Sequence, residues 1–317
     1  MVTKESIFRD ILRLIVWYPL RWTVEELPVA SGLRLLNKMG ELHFALSRGK
    51  AAILRENLSR FMTIDDAQKS KIIKEYLKNH YVDRLAIFLF PKFHTHQVEQ
   101  TIDFEGLEHL NTALKKGKGV ILVHGHFGPV HIPLVALARL GYKMKQIGLP
   151  SDDGLSWIGR HVAFRLRLRD EAKIPAEIVN AESFLRPIFL WLKEGGVVMV
   201  TGDGSGTQKH VGRHDVFDFL GHKVLFPLGP AILAEKTGAE ILPLFVTQGQ
   251  MKPYKIIIAA PLVEPGEPRD IHTITKRFIK ELEGKIKNYP AYMHFLDRFK
   301  FGEYIVDTSD AKTLNPI

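Results

Sequence analysis

The sequence predicts an α/β fold, a mostly parallel central sheet flanked by helices, with a helical N-terminal region in front of it. Three observations carry that expectation. Two short runs, Val120-Ile121-Leu122-Val123 and Val197-Val198-Met199-Val200, are continuously apolar and rich in β-branched residues, the composition of strands buried on both faces. From Val98 onward, strand-like and helix-like stretches alternate, as crossover connections in a parallel sheet require. Residues 1 to about 100 read as helical.

In order along the chain, Ile7 to Trp22 mixes apolar residues with Arg9, Arg13 and Arg21 and carries Trp17, Tyr18 and Trp22. Arginines and aromatics around a short apolar helix suit a membrane interface, and they equally suit a helix packed on the domain. Leu33 to Arg48 is periodic, and Arg48 to Leu58 continues basic and amphipathic. Thr63-Ile64-Asp65-Asp66 supplies an N-cap, with Asp66 placed to favour the dipole of a helix that runs to Tyr81 or Phe88. Pro91 stops it.

The stretch from Phe104 to Leu110 leads into a helix that ends near Lys116-Gly117, and the Val120 strand follows. Next come a helix from Ile132 to Leu140 with Gly141 at C′, a strand over Lys143–Ile147, and a helix over Leu155–Leu166. A helix over Phe184–Lys193 is stopped by Gly195-Gly196 before the Val197 strand. The last elements are a helix over Pro230–Thr237 ended by Gly238, strands over Glu240–Val246 and Tyr254–Ala259, and a helix over Thr273–Lys287. With no Gly/Ser-rich linker or repeat, the expected organisation is a helical region over 1–100, an α/β core over 101–300 and a tail over 301–317.

The totals narrow the function classes. A chain of 317 residues, 45% hydrophobic and 25% charged, can bury a large core. The absence of cysteine excludes disulfides, thiolate metal sites and a cysteine nucleophile. A net charge of +9 attracts polyanions such as anionic lipid headgroups or an acidic carrier protein. No helix-turn-helix, RNP or zinc-finger pattern is present, so nucleic acid is not expected as a partner. No apolar run reaches the roughly 20 residues that span a bilayer, and no signal-peptide pattern opens the chain.

Chemistry concentrates where the buried runs end. Val123 is followed by His124-Gly125-His126-Phe127-Gly128-Pro129 and then His131. Imidazoles at the carboxyl end of a central strand stand where open α/β sheets bind ligands, and His126 in its glycine-rich turn is a usable base at neutral pH. The second run ends in Thr201-Gly202-Asp203-Gly204-Ser205-Gly206. Its carboxylate could orient an imidazole or hold a metal, while the loop lacks the lysine and full glycine pattern of a phosphate loop. Gly-x-Ser-x-Gly is absent, which argues against a serine hydrolase. Arg160, Arg165, Arg167 and Arg169 form a third feature, able to bind phosphate bidentately or simply to face solvent.

Several segments resemble one known family, the bacterial lipid A biosynthesis acyltransferases of the lauroyl/myristoyl type, in the lysophospholipid acyltransferase superfamily. They are Arg55-Glu56-Asn57-Leu58, Glu105-Gly106-Leu107-Glu108-His109-Leu110, Gly119-Val120-Ile121-Leu122-Val123 with His126-Phe127-Gly128, Gly195-Gly196-Val197-Val198 with Asp203, Phe219-Leu220-Gly221, Gly229-Pro230-Ala231 and Thr237-Gly238-Ala239. Their order covers about residues 30 to 300.

The resemblance implies transfer of an acyl group from an acyl carrier protein or coenzyme A thioester to a lipid or glycolipid hydroxyl, with no cofactor beyond that co-substrate. It implies His126 as general base, with His131 and Asp203 in the catalytic set and Phe127, Gly128, Arg160, Arg165 and Gly204 at the substrate. It also implies work on anionic membrane lipid at the cytoplasmic face of a bacterial inner membrane, peripherally or in the interface. One departure stands out. The family pattern is His, four residues, then Asp or Glu, and here His131 occupies the carboxylate position. A neutral His131 could orient His126 without supplying charge, or Asp203 or another carboxylate could substitute. Two other readings stay open: a metal-dependent hydrolase using His124, His126, His131 and Asp203, and a catalytically impaired lipid-binding homologue.

Overall fold

The computed structural model describes residues 6–150, 152–183, 185–204 and 211–306. Nine strands lie among them: β1 Ile102–Glu105, β2 Val120–His124, β3 Met144–Gly148, β4 Glu177–Asn180, β5 Val197–Thr201, β6 His214–Phe219, β7 His222–Pro227, β8 Glu240–Gln248 and β9 Tyr254–Ile258. Seven form one sheet in the order β1-β9-β8-β2-β5-β3-β4. The run from β8 to β4 is parallel. β9 turns back antiparallel to β8, and β1 pairs parallel with β9. The fold is therefore α/β with a mostly parallel sheet, as the two buried runs predict.

Those runs occupy the middle of the sheet, β2 and β5 side by side. Their alternate residues feed two cores. Ile121, Val123, Val198 and Val200 face one layer, and Val120, Leu122, Val197 and Met199 face the other. Burial on both faces is the physical reason that the runs are continuously apolar.

The helices stand close to their expected places. They include Val29–Leu46, Arg48–Ser59, Asp66–Leu85, Leu107–Lys115, His131–Arg139, Arg186–Lys193, Gly229–Thr237 and Ile271–Asn288. Within the expected stretch Thr63–Asp66, the cap of Asp66–Leu85 is Asp65, in a capping box with Gln68. Phe184, expected to open the helix before β5, lies outside the described residues, as do Ser205, Gly206 and the tail from residue 307. Three features escape the pattern reading: β1 and β4 at the two sheet edges, and the β6–β7 hairpin formed around Phe219-Leu220-Gly221. All are short and half-buried, so none has the continuous apolar signature of β2 and β5.

The N-terminal segment is helical from Ile7 to Glu26, with a π-helical turn over Val16–Leu20. Pro19 lies inside that turn, and its missing N–H accounts for the altered register. Both readings of this segment find something in the structure. Trp17 is buried edge-on against Phe88, with ring centres 5.1 Å apart. Ile7, Phe8, Ile11, Leu12, Ile15 and Trp22 stay exposed. Among the described residues no helix is long and apolar enough to cross a membrane.

Candidate active site

The site follows from the register of the two central strands. β2 and β5 run parallel with His124 opposite Thr201, and the Gly202 N–H donates to the His124 carbonyl at 2.7 Å. Two residues beyond each strand end stand His126 and Asp203, facing one another. The His126 backbone N–H donates to Asp203 Oδ2 at 2.7 Å, and its ring Nδ1 meets Asp203 Oδ1 at 2.8 Å. Both carboxylate oxygens are thus committed to one residue, and the ring proton is assigned to Nδ1 by this partner. Gly125 makes the approach feasible. A Cβ there would stand 2.8 Å from Leu282 and 3.1 Å from Asp203 Oδ2.

This environment sets the charge of His126. Burial by itself depresses an imidazole, but the Asp203 charge and hydrogen bond outweigh it and raise His126 above its ordinary value. His124, His131 and His294 go the opposite way. Burial lowers His131 and His294, and it lowers His124 to about 4, so all three are neutral at neutral pH.

Of the two groups offered as orienters of His126, the structure pairs Asp203 with it. His131 opens helix His131–Arg139, and its ring lies 6.4 Å from that of Phe90. It makes no hydrogen bond to His126; the carboxylate on His126 is Asp203. The charges His131 feels are Asp83, Glu171 and Arg167. His124 directs Nδ1 to the Gly125 carbonyl at 3.0 Å, and no group of three His, Asp or Glu among the described residues is arranged to hold a metal ion.

His126 lines a cavity of about 970 Å³, the size range of ligand sites. One side is apolar, with Ile178, Leu185, Phe189, Val200, Ile232 and Leu233. Gly204 and His131 also border it. Four of the residues expected at a substrate do not. Phe127 is 3% exposed and packs against Phe245 and Tyr292. Gly128 sits at φ 68°, and a Cβ there would lie 2.6 Å from the Val246 carbonyl oxygen, so its glycine is a packing requirement. Arg160 pairs with Asp152 at 3.0 Å, and Arg165 is exposed on the outer surface. Of that arginine group it is Arg167, paired with Glu171 at 2.6 Å, that borders the cavity.

Sequence reading missed the opposite wall. Helix Asp66–Leu85 contributes Tyr76, Asn79, His80, Asp83 and Arg84, and the segment after the last helix contributes His294 and Phe295. Asp83 Oδ1 accepts the Val130 N–H at 3.2 Å, which ties the wall to the His126 turn. Phe295 lies against the His126 ring, centres 4.6 Å apart. The i, i+3, i+4 spacing of His80, Asp83 and Arg84 was the available signal for this wall; His294 had none.

Residues 4–301 match the family model described as bacterial lipid A biosynthesis acyltransferase. Among curated proteins, the chain is similar to a phosphatidylinositol mannoside acyltransferase of Mycolicibacterium smegmatis. The two are 24% identical over 313 residues, covering 93% of this chain and 96% of that protein.

Proposed function

The chain belongs to the bacterial lipid A biosynthesis acyltransferase family, and we propose that it moves a fatty acyl group from an acyl thioester to a hydroxyl of a lipid or glycolipid acceptor. The donor in this reading is an acyl carrier protein or coenzyme A thioester, with no further cofactor. One observation carries the reading: a buried-carboxylate–imidazole pair, Asp203–His126, at the edge of a large, partly apolar cavity.

In this reaction His126 is the general base. Its Nδ1–H is held by Asp203, so Nε2 has the free lone pair. Nε2 takes the proton of the acceptor hydroxyl as that oxygen attacks the thioester carbonyl. The imidazolium that forms is stabilised by Asp203, whose negative charge His131 could not have supplied. As the tetrahedral intermediate collapses, the C–S bond breaks and the proton on Nε2 passes to the departing thiolate. No covalent acyl-enzyme is needed. The apolar wall of Ile178, Leu185, Phe189, Ile232 and Leu233 suits the acyl chain.

The place of action in this reading is the cytoplasmic face of a bacterial inner membrane, held peripherally. Its support is the exposed apolar face of the first helix, with Ile7 82% and Phe8 68% exposed, on a chain of net charge +9.

The test is acyl transfer from palmitoyl-coenzyme A and from an acyl carrier protein thioester to a lysolipid panel, comparing the parent with His126→Ala. The expected loss is about 10²- to 10⁴-fold, the usual contribution of a positioned base. A parent without turnover on either donor that still binds anionic liposomes would establish the lipid-binding alternative instead.

A further inference from the structure

The cavity carries a cation that the base reaction does not use. Among the described residues its lining includes Arg84, Arg167 and Arg298 and no lysine. Arg167 is tied to Glu171 at 2.6 Å, and Arg298 stands 3.9 Å from Glu303. Arg84 is exposed and borders the cavity. Among the described residues it has neither an ion pair nor a side-chain hydrogen bond.

The surroundings of Arg84 are basic. It stands in the last turn of helix Asp66–Leu85, where the helix dipole favours a cation. That placement makes the charge tolerable, but it leaves the guanidinium N–H donors without a partner among the described residues. His80, one turn earlier on the same helix face, borders the cavity too. Burial, and then the charges of Arg84 and Lys50, hold His80 far below its ordinary value. Burial also lowers Lys50, and Arg84 adds to that against the opposing pull of Asp297. The carboxylates on this wall are engaged with other groups. Asp83 accepts the Val130 N–H and stands 3.6 Å from His294, and Asp297 stands 3.6 Å from Lys50. Like charges crowded at a cavity wall, one of them an unpaired guanidinium, are what a bound anion relieves.

We infer that Arg84 binds a phosphate ester carried by a substrate, which makes the polar wall of the cavity an anion subsite. The inference rests on the acyl-transfer reading. A planar guanidinium presents paired N–H groups to two phosphate oxygens. Either substrate can bring that group: the coenzyme A or carrier-protein arm of the donor, or a phospholipid headgroup of the acceptor. Arg160 and Arg165, the arginines expected at a substrate, do not border the cavity. Arg84 is then a specificity residue that touches substrate away from the reacting carbonyl.

The experiment uses two matched pairs. On the donor side they are palmitoyl-coenzyme A and S-palmitoyl-N-acetylcysteamine, which has no phosphate. On the acceptor side they are lysophosphatidylglycerol and glycerol monooleate, which has none either. The quantity read is the ratio of kcat/KM within each pair, from which the folded fraction of a variant cancels. Arg84→Gln lowers the ratio about 10- to 100-fold in the pair whose phosphate Arg84 holds, the usual worth of hydrogen bonds to a charged group, and leaves the other ratio in place. The affected pair identifies the source of the phosphate. Arg84→Lys, which keeps the charge and loses the fork, gives an intermediate fall. Arg160→Gln removes the same charge outside the cavity and leaves both ratios unchanged. Unchanged ratios in Arg84→Gln, or an equal fall in Arg160→Gln, overturn the inference while leaving acyl transfer intact. A parent that transfers from neither donor and hydrolyses neither thioester removes the acyl-transfer reading and the inference with it.

Discussion

Two histidine–aspartate pairs face one cavity, and they are built in opposite ways. His126 and Asp203 lie just past the ends of neighbouring strands in parallel register, joined by bonds of 2.8 and 2.7 Å. His294 and Asp83 come from the segment after the last helix and from helix Asp66–Leu85, and they stand 3.6 Å apart. The first imidazole is raised above its ordinary value by its carboxylate. The second is lowered, because burial outweighs a more distant anion. Under similar burial, the nearer carboxylate raises its imidazole above the ordinary value, while the more distant one does not offset burial and the neighbouring positive groups.

The strongest way to break that comparison is at Asp203. Asp203→Asn keeps the size and the acceptor oxygen but removes the charge, and kcat is expected to fall on the order of 10⁴-fold, as when a triad loses its anion. The acid limb of kcat/KM moves as well. The base must be unprotonated, so the rate rises with pH through the His126 value, which lies above 6.5 in the parent. Without the anion, burial prevails and the midpoint falls below 6.5. The stability difference between parent and variant has the matching sign: it is largest below pH 6.5 and shrinks as pH rises through the raised value. Melting curves across pH measure it, and a pH profile that stays in place would separate Asp203 from the charge of His126.

A smaller effect is expected at His131. His131→Gln keeps the site neutral and should change kcat less than about threefold, since a residue without a bond to the base contributes little to the transition state. His131→Glu, which writes the family's carboxylate back into the turn, places a further anion near Asp83 and Glu171. It should lower the melting temperature by a few degrees, about 1 kcal/mol, and leave activity no higher than the parent. A rise in kcat would mean that His126 can use a second anion.

The smallest effects belong to the arginines outside the cavity. Arg160→Ala and Arg165→Ala should each alter kcat/KM less than about twofold on a soluble acceptor, because exposed pairs such as Arg160–Asp152 are worth little. A tenfold loss in either would place a substrate contact beyond the cavity walls.

Much of this was legible in residue order. β2 and β5 announce themselves because a strand covered on both faces has no polar positions to spare. His126 and Asp203 are legible for a related reason: each stands in a glycine-rich turn two residues beyond such a run, and turns at the carboxyl ends of central strands are where an α/β sheet opens. Phe127 and Gly128 share that turn but serve packing, with the ring on Phe245 and the glycine against the Val246 carbonyl. Their neighbours in sequence do not reveal this, because successive residues of an extended turn face opposite sides. Arg160 and Arg165 mislead for a comparable reason. A row of arginines shows a basic helix but not which face of it meets the cavity, and Arg167 is the one that does.

The sequence by itself determined the α/β class, the two central strands and the turn that carries His126. These are decided by apolar periodicity and by glycine placement, which act over a few residues. Only the tertiary structure decided which carboxylate meets that imidazole. Asp203 reaches His126 through strand register, while His131, five residues away, turns into the start of its own helix. Only the tertiary structure brought Asp83 and His294 to the same cavity, because their meeting depends on helix Asp66–Leu85 packing across the sheet ends, a contact between distant segments that no local pattern encodes.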